Sequence, residues 1–98
     1  MDETMRLFRV EVGGALYWAI GTEGTPAEMQ AAIEATEGVT FEAEMWEPIE
    51  VPDIREIGEA EARHTKCRGD GEPDTDMWSA AQQTLASGGR VVACSEWP

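Results

Sequence analysis

The sequence predicts an α+β fold: two helices packed on one face of a mixed, mainly antiparallel sheet of four to five strands, in the order β-β-α-β-(β)-α-β. Three observations lead there. The first twenty residues read as a β-hairpin, residues 25–38 carry a complete set of helix start and stop signals, and a second helical pattern near residue 80 runs into a short apolar strand. With 98 residues, 42% of them hydrophobic, the chain is one domain, 1–98, with a modest core.

Met5–Val12 alternates, with Phe8, Val10 and Val12 on one side and Arg9 and Glu11 on the other, which is the period of a half-buried strand. Gly13-Gly14 supplies the positive-φ pair of a tight turn. The return run Ala15–Ile20 (ALYWAI) is apolar throughout, as in a central strand covered on both faces or an exposed sticky one. Thr25 then caps a helix, Pro26 fits its first position and Glu28 completes a capping box. Met29, Ala32, Ile33 and Thr36 follow at helical spacing and Gly38 ends the run, giving a helix over Pro26–Glu37. Its stripe of small apolar residues is suited to lying close against a sheet.

Val39–Met45 reads as the next strand, with Val39, Phe41, Ala43 and Met45 on one face and Thr40, Glu42, Glu44 and Trp46 on the other. Pro48 and Pro52 bracket Ile49-Glu50-Val51, an extended edge or connector. Asp53–Arg68 carries two patterns: Ile54, Ile57 and Glu61 at helical spacing, and Ala60, Ala62 and His64 in alternation. The expectation is a strand over Glu59–Cys67. Arg68–Asp76 is a turn-rich loop, and a second helix runs from about Thr75 to Ala86, capped by Asp74 or Asp76, with Trp78, Ala81 and Leu85 as its buried ridge. Ser87-Gly88-Gly89 stops it before a final strand, Arg90–Cys94.

Charge is the functional lead. Seven bases against twenty acids give a net charge of −13, a field that repels nucleic acid and anionic membrane and attracts basic surfaces or cations. Between Glu28 and Glu61 lie eleven acids and a single base, Arg55, a local charge of −10. Residues two apart on a strand face lie about 6.6 Å from one another, close to the spacing of about 6–7 Å between successive phosphates of a duplex strand. On the strand expected at Val39–Met45, Glu42 and Glu44 would begin such a row and Glu47 and Glu50 extend it, with Glu34 and Glu37 as a second row. Trp46, among these carboxylates, is either an interface anchor or a cover for a helix edge. Arg55, Arg63, Lys66 and Arg68 are expected to pair with acids of the same chain. In length, charge and aromatic content the chain resembles the small phage-encoded inhibitors of bacterial defence systems, the anti-CRISPR and anti-restriction DNA mimics, with no shared motif.

Other chemistries find little support. One histidine, with no G-x-S-x-G, no H-E-x-x-H and no Gly-rich phosphate loop, gives nucleophilic catalysis nothing to work with, so no enzyme is expected. Asp70, Glu72, Asp74 and Asp76 alternate as in a calcium loop, but Thr75 holds the glycine position, Pro73 stiffens the turn and Ala81 stands where the bidentate Glu belongs. His64-x-x-Cys67 is a two-ligand fragment, and Cys94 is the one other cysteine. No metal and no cofactor are expected. Two cysteines without a CxxC fit reduced thiols, Cys94 buried in its strand. The start of the chain shows no signal-peptide pattern, and no apolar run reaches membrane length, as for a cytoplasmic protein, in the host cytoplasm if viral. The partner expected is therefore a basic nucleic-acid-binding protein or complex, contacted through Glu34, Glu37, Glu42, Glu44, Trp46, Glu47 and Glu50, with no direct nucleic acid and no membrane. The rival reading is a structural or assembly protein, a homodimer for instance, joined through the apolar hairpin with the acids serving solubility.

Overall fold

The structure, a computed structural model, describes residues 5–66 and 75–96. The expected turn-rich loop Arg68–Asp76 and calcium-like loop fall mostly outside them, and Cys67, Arg68 and Trp97 wholly so.

The hairpin forms as read. β1 (Arg6–Val12) pairs antiparallel with β2 (Ala15–Gly21) from Arg6 opposite Gly21 to Val12 opposite Ala15. Gly13 and Gly14 turn the chain with φ of 55° and 87°, the two positive values a type I′ turn requires. β3 (Ile54–Ile57) joins the free edge of β1 and β4 (Val91–Cys94) the free edge of β2. The result is a four-stranded sheet in the order β3-β1-β2-β4, antiparallel at every pairing. The α+β class and the antiparallel sheet stand.

The helices do not share a face. α1 (Pro26–Glu37) packs Met29, Ala32 and Ile33 on Phe8, Val10, Val12, Tyr17 and Ala19. α4 (Met77–Ala86) packs Met77, Ala81, Trp78 and Leu85 on Leu7, Trp18 and Ile20. Successive strand residues point to opposite sides, so these two sets lie on opposite faces of the sheet. The reason is in ALYWAI, whose apolar side chains face both ways and need a cover on each side. The molecule thus has two cores sharing one sheet. Full burial of side chains such as Leu7 and Ile33 contributes about 1.5–3 kcal/mol apiece.

The capping chemistry explains most boundaries. Thr25 Oγ1 accepts from the Glu28 N–H at 3.2 Å, and Gly38, at φ 73°, closes α1 by donating to the Glu34 carbonyl at 2.9 Å. α4 starts two residues after the expected Thr75 because Asp76 is its cap, accepting from the Ser79 N–H at 2.8 Å.

Two expectations in the middle of the chain are corrected. Val39–Met45 is no strand: it is the one-turn helix α2 (Phe41–Glu44). Thr40 Oγ1 accepts from the Ala43 N–H at 3.0 Å and the Glu34 carboxylate from the Phe41 N–H at 2.8 Å, so two side-chain acceptors wind the turn from its start. Further on, strand and helix are exchanged relative to expectation. Val51–Asp53 is a 3₁₀ turn rather than an extended connector, Ile54–Ile57 is β3, and Glu59–Arg63, expected within a strand, is the short helix α3. Ala62 and Ile57 are buried together against α4, which is what the conflicting periodicities of this segment encode.

Candidate functional site

No Lys or Arg occurs between Arg9 and Arg55, and that stretch holds ten acids. It builds the last residues of β1, all of β2, α1, α2 and the 3₁₀ turn, and Arg6 reaches into it to donate to the Thr22 carbonyl. Three of the cations form ion pairs with acids of the same chain. Arg6 pairs with Glu56 at 2.8 Å, Arg55 with Glu61 at 2.9 Å and Arg63 with Glu59 at 2.7 Å, all around β3 and α3. Hydrogen bonds from Arg6 and Arg55 hold the Glu56 and Glu61 carboxyls below the usual carboxylate range. Intramolecular pairing of the basic segment is thus seen for Arg55 and Arg63.

The seven residues expected at a docking surface do not come together as one set. Glu34 is a structural acid: its carboxylate receives the Phe41 N–H and, at 3.3 Å, the Gln30 amide, joining α1 to α2. Glu37 is the last residue of α1 and half-buried. Glu42 and Glu44 are exposed but do not form a row, since two steps along a helix rotate a side chain by about 200°. The phosphate-like spacing expected of a strand is therefore absent here. Trp46 is half-buried and packs edge-on against Phe41, ring centroids 5.2 Å apart at 89°. It packs against the core beneath α1.

Glu47 and Glu50 do come together. With Glu11 and Asp53 they surround an open cleft of about 540 Å³ beside the Gly13-Gly14 turn. Asp53 is partly engaged, accepting the Glu50 N–H at 2.9 Å at the start of the 3₁₀ turn.

Two exposed apolar side chains belong to this region and were not singled out from sequence. Met45 is 89% exposed and Val51 71% exposed. Met45 follows α2 at φ 58°, the one non-glycine residue with positive φ among those described. That conformation normally selects glycine, and holding methionine there costs roughly 1 kcal/mol. Thr40 and Pro48 bracket this turn in the sequence, but no pattern announces that its left-handed residue is a methionine. Met45→Gly is expected to stabilise the fold by about 1 kcal/mol, raising Tm by about 4–8 °C. A thermal melt that moved downward would show that the Met45 side chain supports the native packing.

The remaining candidates are quickly placed. His64 is exposed and its Nδ1 lies 2.7 Å from the Ala60 carbonyl. Cys94 is a buried free thiol opposite Tyr17, and burial together with that thiol pushes the Tyr17 phenol well above its ordinary range. No group of three potential metal ligands and no helix long and apolar enough to cross a membrane occurs among the described residues. No protein-family model, curated protein or solved structure matches the chain.

Proposed function

We propose that the protein is a small acidic inhibitor that docks on the basic, nucleic-acid-binding surface of a partner protein or complex and blocks it. It acts by contact rather than by catalysis, as phage-encoded DNA mimics do. One observation carries this reading: the base-free stretch presents exposed Glu42, Glu44, Glu47 and Glu50 close in sequence to the exposed Met45. Carboxylates kept for solubility alone have no need of an apolar side chain held among them in a strained conformation. An apolar anchor within a charged surround is how protein interfaces are commonly built. The carboxylates supply attraction and steering toward Lys/Arg-lined surfaces, and self-repulsion among them is relieved on contact. The arrangement supports charge-led docking and not a phosphate-by-phosphate copy of a duplex, because α2 disperses the acids a strand would have aligned. The apolar side chains of the hairpin, on which self-association would depend, are largely taken up by the two cores.

The test is capture from bacterial lysate on the immobilised protein, eluted by salt or by duplex DNA. Raising ionic strength from about 0.1 to 1 M shortens the screening length from about 10 to 3 Å, so a charge-led complex is expected to dissociate. Duplex DNA should release it at constant salt, and the double variant Glu42→Lys, Glu44→Lys should fail to capture it. Capture of no nucleic-acid-binding protein at low salt, or capture indifferent to both DNA and the double variant, would overturn the proposal.

A further inference from the structure

We infer that the shallow groove between α1 and α2 is the seat for a basic amphipathic helix of the partner, an inference that rests on the proposed function and narrows it to one part of the surface. The groove, a wide-open depression of about 630 Å³, is lined by Ala31 and Ala35 of α1, by Gly38, Val39 and Thr40 of the connection and by Ala43 of α2. The three alanines are exposed and Val39 is half-buried. Glu34 also borders the groove, but its carboxylate is turned to the Phe41 N–H and the Gln30 amide. The Thr40 hydroxyl is likewise engaged by the Ala43 N–H, so the lining is mainly apolar.

The surrounding charge is not. On α2, Glu42 and Glu44 project about 100° to either side of Ala43, so free carboxylates flank the strip that faces the groove. Among the described residues neither is paired with a base. An occupant must therefore present a narrow apolar strip with cations on both sides. An amphipathic helix bearing Lys or Arg beside a short apolar stripe meets that description. The floor favours a helix over an extended segment. Ala31 and Ala35 stand four residues apart on one helix, forming a ridge of the kind a second helix packs against, and side chains this small allow close approach of the axes. Lysine and arginine stems would lie along the alanines while their heads reach the flanking carboxylates.

The test uses the full chain, labelled with ¹⁵N, and two synthetic probes of equal positive charge: an amphipathic Lys/Leu peptide of about 15 residues, long enough to form a helix, and an unstructured Lys/Gly peptide. The expected result is tighter binding of the helical probe at low salt. Its amide shifts should centre on Ala31, Ala35, Val39 and Ala43. Ala31→Trp, which fills the groove from an exposed helical position, should weaken that binding about tenfold, as loss of a packed centre does at other interfaces. Ala31→Gln should give a smaller loss in the same direction should Trp disturb α1. Equal binding of both probes, shifts centred on the Gly13 cleft, or affinity untouched by both Ala31 variants would overturn the groove assignment and leave the basic-partner reading standing. Binding of neither probe at low salt would remove both.

Discussion

Gly24→Ala is expected to be among the most destabilising single-methyl additions in this protein, lowering the unfolding free energy by about 2–4 kcal/mol. Two effects combine. Gly24 adopts φ 70°, where an alanine is strained by roughly 1 kcal/mol. A Cβ there would also run into Phe8 Cε2 and lie 2.7 Å from Cζ, well inside contact distance. Phe8 cannot easily retreat. It is 3% exposed within the α1 core, and the Arg6 guanidinium sits 5.2 Å from its ring centroid. Overpacking of such a site costs about 1–3 kcal/mol beyond the backbone strain. For a domain of this size the sum corresponds to a fall in Tm on the order of 10–20 °C. Gly38→Ala is the control, with φ 73° but nothing within 4 Å of the added carbon, so only the strain of roughly 1 kcal/mol remains. Equal losses for the two variants in urea melts would show that Phe8 moves aside without cost.

The second large effect is expected at Glu28, whose carboxylate organises the connection from β2 to α1. It accepts from the Thr22 N–H and Thr22 hydroxyl, both at 2.8 Å, from the Glu23 N–H at 3.1 Å and from the Gly24 N–H at 2.7 Å. Its partial burial would raise its pKa, but the donors of Thr22, Gly24 and Glu23 together outweigh that and lower it. Glu28→Gln keeps the shape, removes the charge and puts an NH₂ where an acceptor stood. A loss of about 2 kcal/mol at neutral pH follows, toward the low end for several charge-assisted bonds because the site is half-open to water. The sign of the pH dependence follows from the lowered value. The stabilisation is complete above the unfolded carboxyl pKa of about 4.3 and is lost as pH falls through the lower folded value. Urea midpoints of wild type and Glu28→Gln should therefore be well separated at pH 7 and converge in acid. A gap that stays constant with pH would assign the loss to shape and not to the ionised carboxylate.

The loop that these two residues hold was half legible in the sequence. Thr25, Pro26 and Glu28 announced the helix, and Pro26–Glu37 is found with those bounds, because capping signals are local. In the capping box Glu28 was expected to reach back to the cap, yet it receives Thr22, Glu23 and Gly24 instead, a destination set by where β2 ends. The hairpin was readable for the same reason as the helix. Residues 39–63 were not: Val39–Met45 carries the period of a strand, and two periodicities compete over Asp53–Arg68. Phe41 and Met45 alternate as if on one strand face, yet one is buried and the other is 89% exposed. What decides the matter is an acceptor seven residues away, the Glu34 carboxylate, and no window on residues 39–45 contains it. The candidate surface inherits that error. The segment carrying the acids was read correctly, while their mutual arrangement depended on an element assigned the wrong period. Both helices were placed on one side of the sheet because their own stripes say nothing of sidedness; Trp18 and Ile20, facing away from Tyr17 and Ala19, contain that information.

The pairing of Arg6, Arg55 and Arg63 with acids of β3 and α3, while Glu42, Glu44 and Glu47 stay exposed, has a mechanical consequence. A body whose unpaired negative charge is unevenly spread has an electrical centre displaced from its centre of mass. In the field of a positively charged surface it is subject to a torque as well as a pull, so it turns as it drifts, and its most negative side leads. Rotational search, which slows most encounters between large molecules, is thereby shortened before any atom touches.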